Sequence, residues 1–259
     1  MKRLLAAVLL VIAARPSFAQ QPPPAPPPAP GAAPAAPAPP PPPPPLKGEV
    51  TLGYQSTKGN TDTELANATF SLLYTLTLWS HGVDLAANSA STSGAKTAEA
   101  YLAKYKGKRK FDEGKSYMFT SLDWSHDRFS AYEEQLSETA GYGRKLIDTE
   151  RNELNVEAGA GARQATRIDQ TKEDEAILRL AMDYQLKFTE KTGFKQSLVV
   201  ESGSSNTSTE AISALRAQLV NKIGLVISFR IKHNSNVPAV PPGLVATDRF
   251  TSIALSYAF

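Results

Sequence analysis

Three histidines occur, His81, His126 and His233. Of these, His126 stands in the run Trp124, Ser125, His126, Asp127, which holds the residue types of a hydrolytic triad. A triad needs serine, imidazole and carboxylate converging on one point. Successive residues of an extended strand point to opposite faces, so Ser125 and His126 could not meet without a turn, and no catalytic residue is assigned. Cysteine is absent, which excludes disulfides, thiolate metal sites, a thiol nucleophile and a lipid anchor on cysteine. Asp169, Glu173, Asp174 and Glu175 could attract calcium, but they lack the glycine-punctuated loop of an EF-hand and read as a solvated charged loop. Zinc-ligand spacing and a phosphate-cradling loop are missing, so no metal or cofactor is expected. The chemistry that remains is that of charged groups at strand spacing. Glu157, Arg163, Arg179, Asp183, Arg216, Arg230 and Lys232 all fall on the polar parity of alternating segments, with Glu201 and Lys187 as further partners.

Those segments come from a period of two. Leu178, Leu180, Met182, Tyr184, Leu186 and Phe188 alternate with Arg179, Ala181, Asp183, Gln185 and Lys187. Leu225, Ile227, Phe229 and Ile231 stand against Ser228, Arg230 and Lys232 in the same way. Twelve such segments can be marked, from 48–56 to 248–259. The intervening polar faces mix Gly, Ser, Thr, Asn and Gln with single charges of both signs, as a hydrated interior would. Strands of nine or more residues match the roughly 9 to 11 that a tilted strand needs to cross hydrocarbon. The connections are expected to alternate between tight turns (77–80, 111–115, 148–151, 189–193, 221–223) and longer polar loops (56–62, 92–96, 126–133, 164–173, 203–208, 234–247). This is the pattern of an all-β, transmembrane, up-and-down antiparallel barrel of about twelve strands. Aromatic girdles are expected from Tyr74, Trp79, Phe188, Phe194, Tyr257 and Phe259 at the turn end. At the loop end they would come from Tyr54, Trp124, Phe129, Tyr132 and Phe250.

The ends of the chain agree with that reading. Lys2 and Arg3, the apolar run Leu4–Ala14 and the small-residue site Ser17, Phe18, Ala19 make residues 1–19 a signal peptide. Residues 20–46 form a Pro/Ala-rich linker with 16 prolines in the 24 residues from Pro22 to Pro45, read as a disordered or polyproline II spacer. Residues 47–259 are the barrel, and from Leu46 to Val237 there is no proline to interrupt a ladder. The last strand carries Ile253, Leu255, Tyr257 and Phe259 on one face and resembles the C-terminal signal by which bacterial outer membrane barrels are recognised for insertion. Without Lys2, Arg3 and Arg15 the mature chain has 25 basic and 25 acidic residues, so charge points to no nucleic acid.

A family resemblance rests on three stretches: Gly53 to Thr63, with its Ser56, Thr57, Lys58, Gly59, Asn60, Thr61 corner; Asp127, Arg128, Phe129 followed by Gly141, Tyr142, Gly143, Arg144; and Asp248, Arg249 to Phe259. These are similar to the YdiY-like family, described as salt-induced outer membrane proteins of largely unknown function. The resemblance implies an integral outer membrane barrel and brings no catalytic residues. The expected location is the bacterial outer membrane with the linker in the periplasm. The expected partners are outer membrane lipids, the barrel insertion machinery and, through the linker, the cell wall. The sequence favours a structural or envelope-stress barrel, with a narrow porin-like channel as the alternative and an outer membrane phospholipase third.

Overall fold

The computed structural model describes residues 45–57, 62–237 and 244–259, and the signal peptide and nearly all of the linker lie outside them. Twelve strands follow one another: β1 (Leu46–Thr57), β2 (Thr63–Thr75), β3 (Trp79–Thr92), β4 (Ala95–Phe111), β5 (Ser116–Asp127), β6 (Tyr132–Asp148), β7 (Asn152–Arg167), β8 (Lys172–Lys187), β9 (Thr192–Gly203), β10 (Thr207–Val220), β11 (Ile223–Asn234) and β12 (Thr247–Ala258). Each pairs antiparallel with its neighbours in sequence, and β1 pairs with β12, so the sheet is a closed up-and-down barrel. Closure leaves no edge whose N–H and C=O groups would face hydrocarbon unpaired, at several kcal/mol each.

Parity sets the two faces. Leu52, Leu178, Leu180 and Ile253 are about two-thirds exposed, at 62, 68, 61 and 65 %, a distribution that only lipid makes favourable. Their alternate neighbours point inward, where Ser121, Ser137, Thr139, Glu157, Arg163 and Arg179 are buried. Strand β6 shows the logic at one element, since exposed Glu138, Ala140, Tyr142 and Arg144 alternate with Ser137, Thr139, Gly141 and Gly143. Ladder steps from Leu46 pass through Tyr74, His81, Gly107, Thr120, Ala140, Ala160 and Leu178. Leu46 starts β1, whereas Leu178 lies well inside β8, toward its loop end. That climb is the stagger a tilted barrel requires.

The connections depart from the expected alternation. Ser93 and Gly94 both have positive φ, 51° and 79°, so the corner expected as a polar loop at 92–96 is a two-residue hairpin turn. Residues 128–131 and 168–171 are likewise short, because β6, β7 and β8 run to 17, 16 and 16 residues and rise beyond the length hydrocarbon demands, and 204–206 between β9 and β10 is short as well. Among the loop-end connections only those around 58–62 and 235–246 are long.

The girdle also needs two corrections. Tyr54, Trp79, Phe129, Phe188, Tyr257 and Phe259 are exposed, but Tyr132 is 2 % exposed and packs with Ala131 and Ala165 beneath Val237 and Leu244. Phe250 shares the inward parity of Asp248 and Ser252, with the Arg230 guanidinium 5.5 Å from its ring centre. Tyr101 is exposed at the loop end in their stead and stacks on His126.

Closure rests on the shortest ladder, from Glu49 opposite Ala258 to Leu52 opposite Leu255. Gly48 and Phe259 exchange both backbone hydrogen bonds, 3.0 and 2.9 Å, so Thr51 and Ser256 form a non-hydrogen-bonded pair whose inward side chains approach closely. In this cysteine-free chain, Thr51→Cys with Ser256→Cys should oxidise readily to a disulfide. The slipped pair Thr51→Cys with Ala254→Cys should not. Non-reducing electrophoresis of the denatured protein reads both, and preferential linkage of the slipped pair would contradict the register.

Candidate functional site: the lumen

The lumen is unequally filled. At the β6–β7 wall, glycines replace side chains: a Cβ on Gly161 would sit 1.9 Å from the Glu138 carbonyl oxygen, and one on Gly143 would lie 2.3 Å from the Tyr117 ring. Strong curvature brings backbones together there, and the rings of Tyr117 and Phe119 occupy the space that larger residues would take. On this solid side sits Glu157, its side chain 1 % exposed. Lys106 Nζ lies 2.7 Å and Lys108 Nζ 3.1 Å from its carboxylate, and the Tyr117 hydroxyl donates to it at 3.1 Å.

A second layer stands nearer the loops. Arg179 reaches Glu201 at 2.7 Å and Asp123 at 3.7 Å, and the Ser137 hydroxyl donates to the other Glu201 oxygen at 3.0 Å. Lys104 Nζ is 2.9 Å from Glu210, which also pairs with Arg230. Because β4 and β10 are six strands apart in a ring of twelve, the Lys104–Glu210 bridge joins opposite walls. A cavity of about 70 Å³ remains at this level, bordered by Lys104, Arg179, Arg230 and Lys232 against Asp123, Glu201 and Glu210.

Above it, Arg163, 1 % exposed, pairs with Glu175 and donates to the Asn206 carbonyl, while the Asn206 amide donates to Asn234 at 2.9 Å. The Asn236 amide also donates to Asn206, and Val237 and Leu244 pack on Tyr132.

The other side of the bridge differs. Thr69, Ser71, Asn67 and Asn88 face inward from β2 and β3, Ser228 and Ser252 from β11 and β12, all short, neutral and partly exposed. Asp84 is exposed there and accepts from the Ser71 hydroxyl at 2.6 Å.

The structure places all seven charged residues marked from the sequence on the inward parity. Glu157, Arg163, Arg179 and Arg230 are paired as above, Arg216 pairs with Glu49, and Lys232 is buried. Asp183, between Ala181 and Gln185, is partly exposed on β8. Ile253, Leu255, Tyr257 and Phe259 lie on the outer face, the last two stacked with ring centres 6.4 Å apart. Four inward lysines on β4, Lys104, Lys106, Lys108 and Lys110, escape the sequence reading. Their spacing of two was visible, but the alternate residues Gly107 and Arg109 gave no apolar face to fix the parity.

Ser125 and Asp127 face inward and His126 outward, where its ring stacks on Trp124 and Tyr101. Three of the four acids considered for calcium are engaged separately. Glu173 pairs with Arg167 and Glu175 with Arg163. The Thr171 amide donates to Asp169 at 3.0 Å and holds that carboxyl below its usual range.

A closed barrel with an oily outside and a charged inside defines an outer membrane β-barrel protein. Residues 50–259 match the family described as "Protein of unknown function, DUF481", and the chain belongs to that family. It is 28 % identical over 215 residues to the Escherichia coli K12 protein YdiY, covering 82 % of each chain. Among solved structures it resembles the NanC porin, at 10 % identity and a TM-score of 0.51, over 81 % of this chain and 98 % of the porin. An outer membrane channel from Pseudomonas putida F1 is similar at 10 % identity and a TM-score of 0.48, over 83 % and 95 % of the two chains.

Glu157 is the test of the filled half. Replacing it by Gln leaves the Lys106 and Lys108 charges without their counter-ion in a buried site, at a cost of about 3–5 kcal/mol. The temperature at which the folded, fast-migrating gel band converts to the unfolded one should fall, and Lys106→Met combined with Lys108→Met and Glu157→Leu should restore most of the loss.

Proposed function

We propose that the protein is a narrow porin-like conduit for ions or small solutes across the outer membrane. The observation that supports this best is the division of the lumen by the Lys104–Glu210 bridge. One half is packed with paired charges and rings, whereas on the β2–β3 wall opposite, Asn67, Thr69, Ser71 and Asn88 are short, neutral and partly exposed. A barrel whose interior served stability alone has no reason to leave one wall in serine, threonine and asparagine. Barrels of eight strands fill themselves and those of sixteen or more leave an aqueous channel, so twelve strands suit a restricted passage. The resemblance to the NanC porin is consistent with such a role. Conduction in planar bilayers is the test. Wild type should give small steps, and Lys104→Ala with Glu210→Ala should enlarge them severalfold by removing the bar. Silence of both across salts and voltages would leave the structural, envelope-stress reading in its place.

The turn end, where both termini of the barrel lie, faces the periplasm in this proposal, as in up-and-down barrels generally. The proline-rich segment then serves as a tether of very roughly 70–75 Å if fully extended, at about 3.1 Å per residue, toward the cell wall. Deleting Pro22 to Pro45 should release the barrel from the peptidoglycan-associated fraction without altering its heat-modifiable gel migration. Unchanged co-sedimentation with peptidoglycan would retire the tether.

A further inference from the structure

The lumen is polarised along its axis. At the turn end, Lys47 on β1, Lys110 on β4, and Lys187 and Lys195 on β8 and β9 all take the inward parity. Lys47, Lys187 and Lys195 are exposed, and Lys110 is half-buried with its ammonium donating weakly to the Leu76 carbonyl at 3.5 Å. None of the four makes an ion pair among the described residues, and three of the inward carboxylates toward that end are already taken. Glu49 pairs with Arg216, Glu153 with Lys145, and Glu157 with Lys106 and Lys108. Asp183 stands two inward positions above Lys187, with Gln185 between them, and Asp84 lies on β3 toward mid-barrel. At the loop end the sign reverses. Arg163, Arg167 and Arg230 are each matched by a glutamate, whereas Asp127 and Asp248 face inward with buried Lys232 on β11 as the cation at their level.

Unmatched cations around a mouth walled by protein and lipid focus their field into the opening and concentrate counter-ions there. Lys187 and Lys195 are diagonal neighbours on one face, an arrangement that repels itself unless an anion bridges it. We propose that the turn-end mouth is a binding site for small multivalent anions carrying phosphate or carboxylate groups, which enter the conduit from that side. The proposal rests on the conduit reading for the route, but the site itself can be tested without conduction.

The probe is inorganic tripolyphosphate, titrated into the detergent-purified full chain and followed by phosphorus NMR line width. Saturable broadening that weakens as salt is raised is the expected result. Lys187→Gln with Lys195→Gln should weaken it by about tenfold, the four-lysine variant by about a hundredfold, and Lys→Arg at all four should retain it. Heat-modifiable migration on gels reports that each variant is folded. Spermine, a cation of comparable charge followed by its proton line widths, should show no saturable broadening that the lysine substitutions weaken. Absence of saturable tripolyphosphate binding, spermine binding that the glutamine substitutions weaken equally, or a folded glutamine variant that binds tripolyphosphate like wild type would overturn the site. In planar bilayers, tripolyphosphate added at the turn end should block conduction and at the loop end should not. A silent protein that still binds tripolyphosphate removes the conduit and keeps the site, and a conducting protein that does not bind it removes the site alone.

Discussion

Everything in this molecule depends on the intolerance of hydrocarbon for an unpaired peptide group. In water an edge strand is a nuisance; in lipid each open N–H or C=O costs several kcal/mol, so the ladder has to run until it meets itself. From that follow the even strand number, the sequential antiparallel pairing and the absence of proline through eleven strands. The seam is where the constraint is met most narrowly. Its short ladder is anchored at the turn end by the doubly bonded Gly48 and Phe259, and this gives the terminal aromatic a structural task besides its place on the oily face.

A closed ladder fixes what the interior must be. Residues of alternate parity have nowhere to go but the lumen, and the charges of its packed half are cut off from bulk water. The interior accordingly settles its carboxylates against amines and guanidines in layers, Glu157 with two lysines and Glu210 with one lysine and one arginine. Such pairs are not strong evidence of stability, since apolar replacements are often as stable. What they do provide is position. The Lys104–Glu210 bridge ties walls six strands apart, and the glycine-lined curve at β6–β7 lets rings fill one side, while the β2–β3 wall keeps short, partly exposed side chains.

Much of this was written in parity. The strand positions, the barrel and the inward direction of Glu157, Arg179, Arg216 and Arg230 can be read because each lies between large apolar residues or their small stand-ins, and Arg163 and Lys232 follow from the parity of the same strands. The pairings could not be read that way. Which side chain meets which across the lumen depends on the stagger summed over six ladders, and a shift of two at any of them would move Lys104 away from Glu210. Tyr132 and Phe250 misled for a related reason: an aromatic near a strand end suits a girdle or a plug equally, and only the register of β6 and β12 decides. The two-residue turn at Ser93 and Gly94 was hidden by neighbouring polar residues that belong to the extended strands, not to a loop.

The polar lumen also answers a problem that arises before folding. If both faces of these strands were apolar, stretches of 16 or 17 residues such as β4, β6, β7 and β8 would be continuous greasy runs. Runs approaching 18 residues are what an inner membrane retains as helices. Alternation keeps every segment below that threshold, so the chain can be exported as a soluble polymer and become a membrane protein only once its odd and even faces have been sorted by closure. On this argument the interior charges are required by the journey as well as by the destination, and the freedom left to evolution is how they are distributed along the axis. Here the matched pairs occupy the middle and the unmatched lysines gather at the turn-end rim, where they burden neither export nor insertion and remain available to solutes.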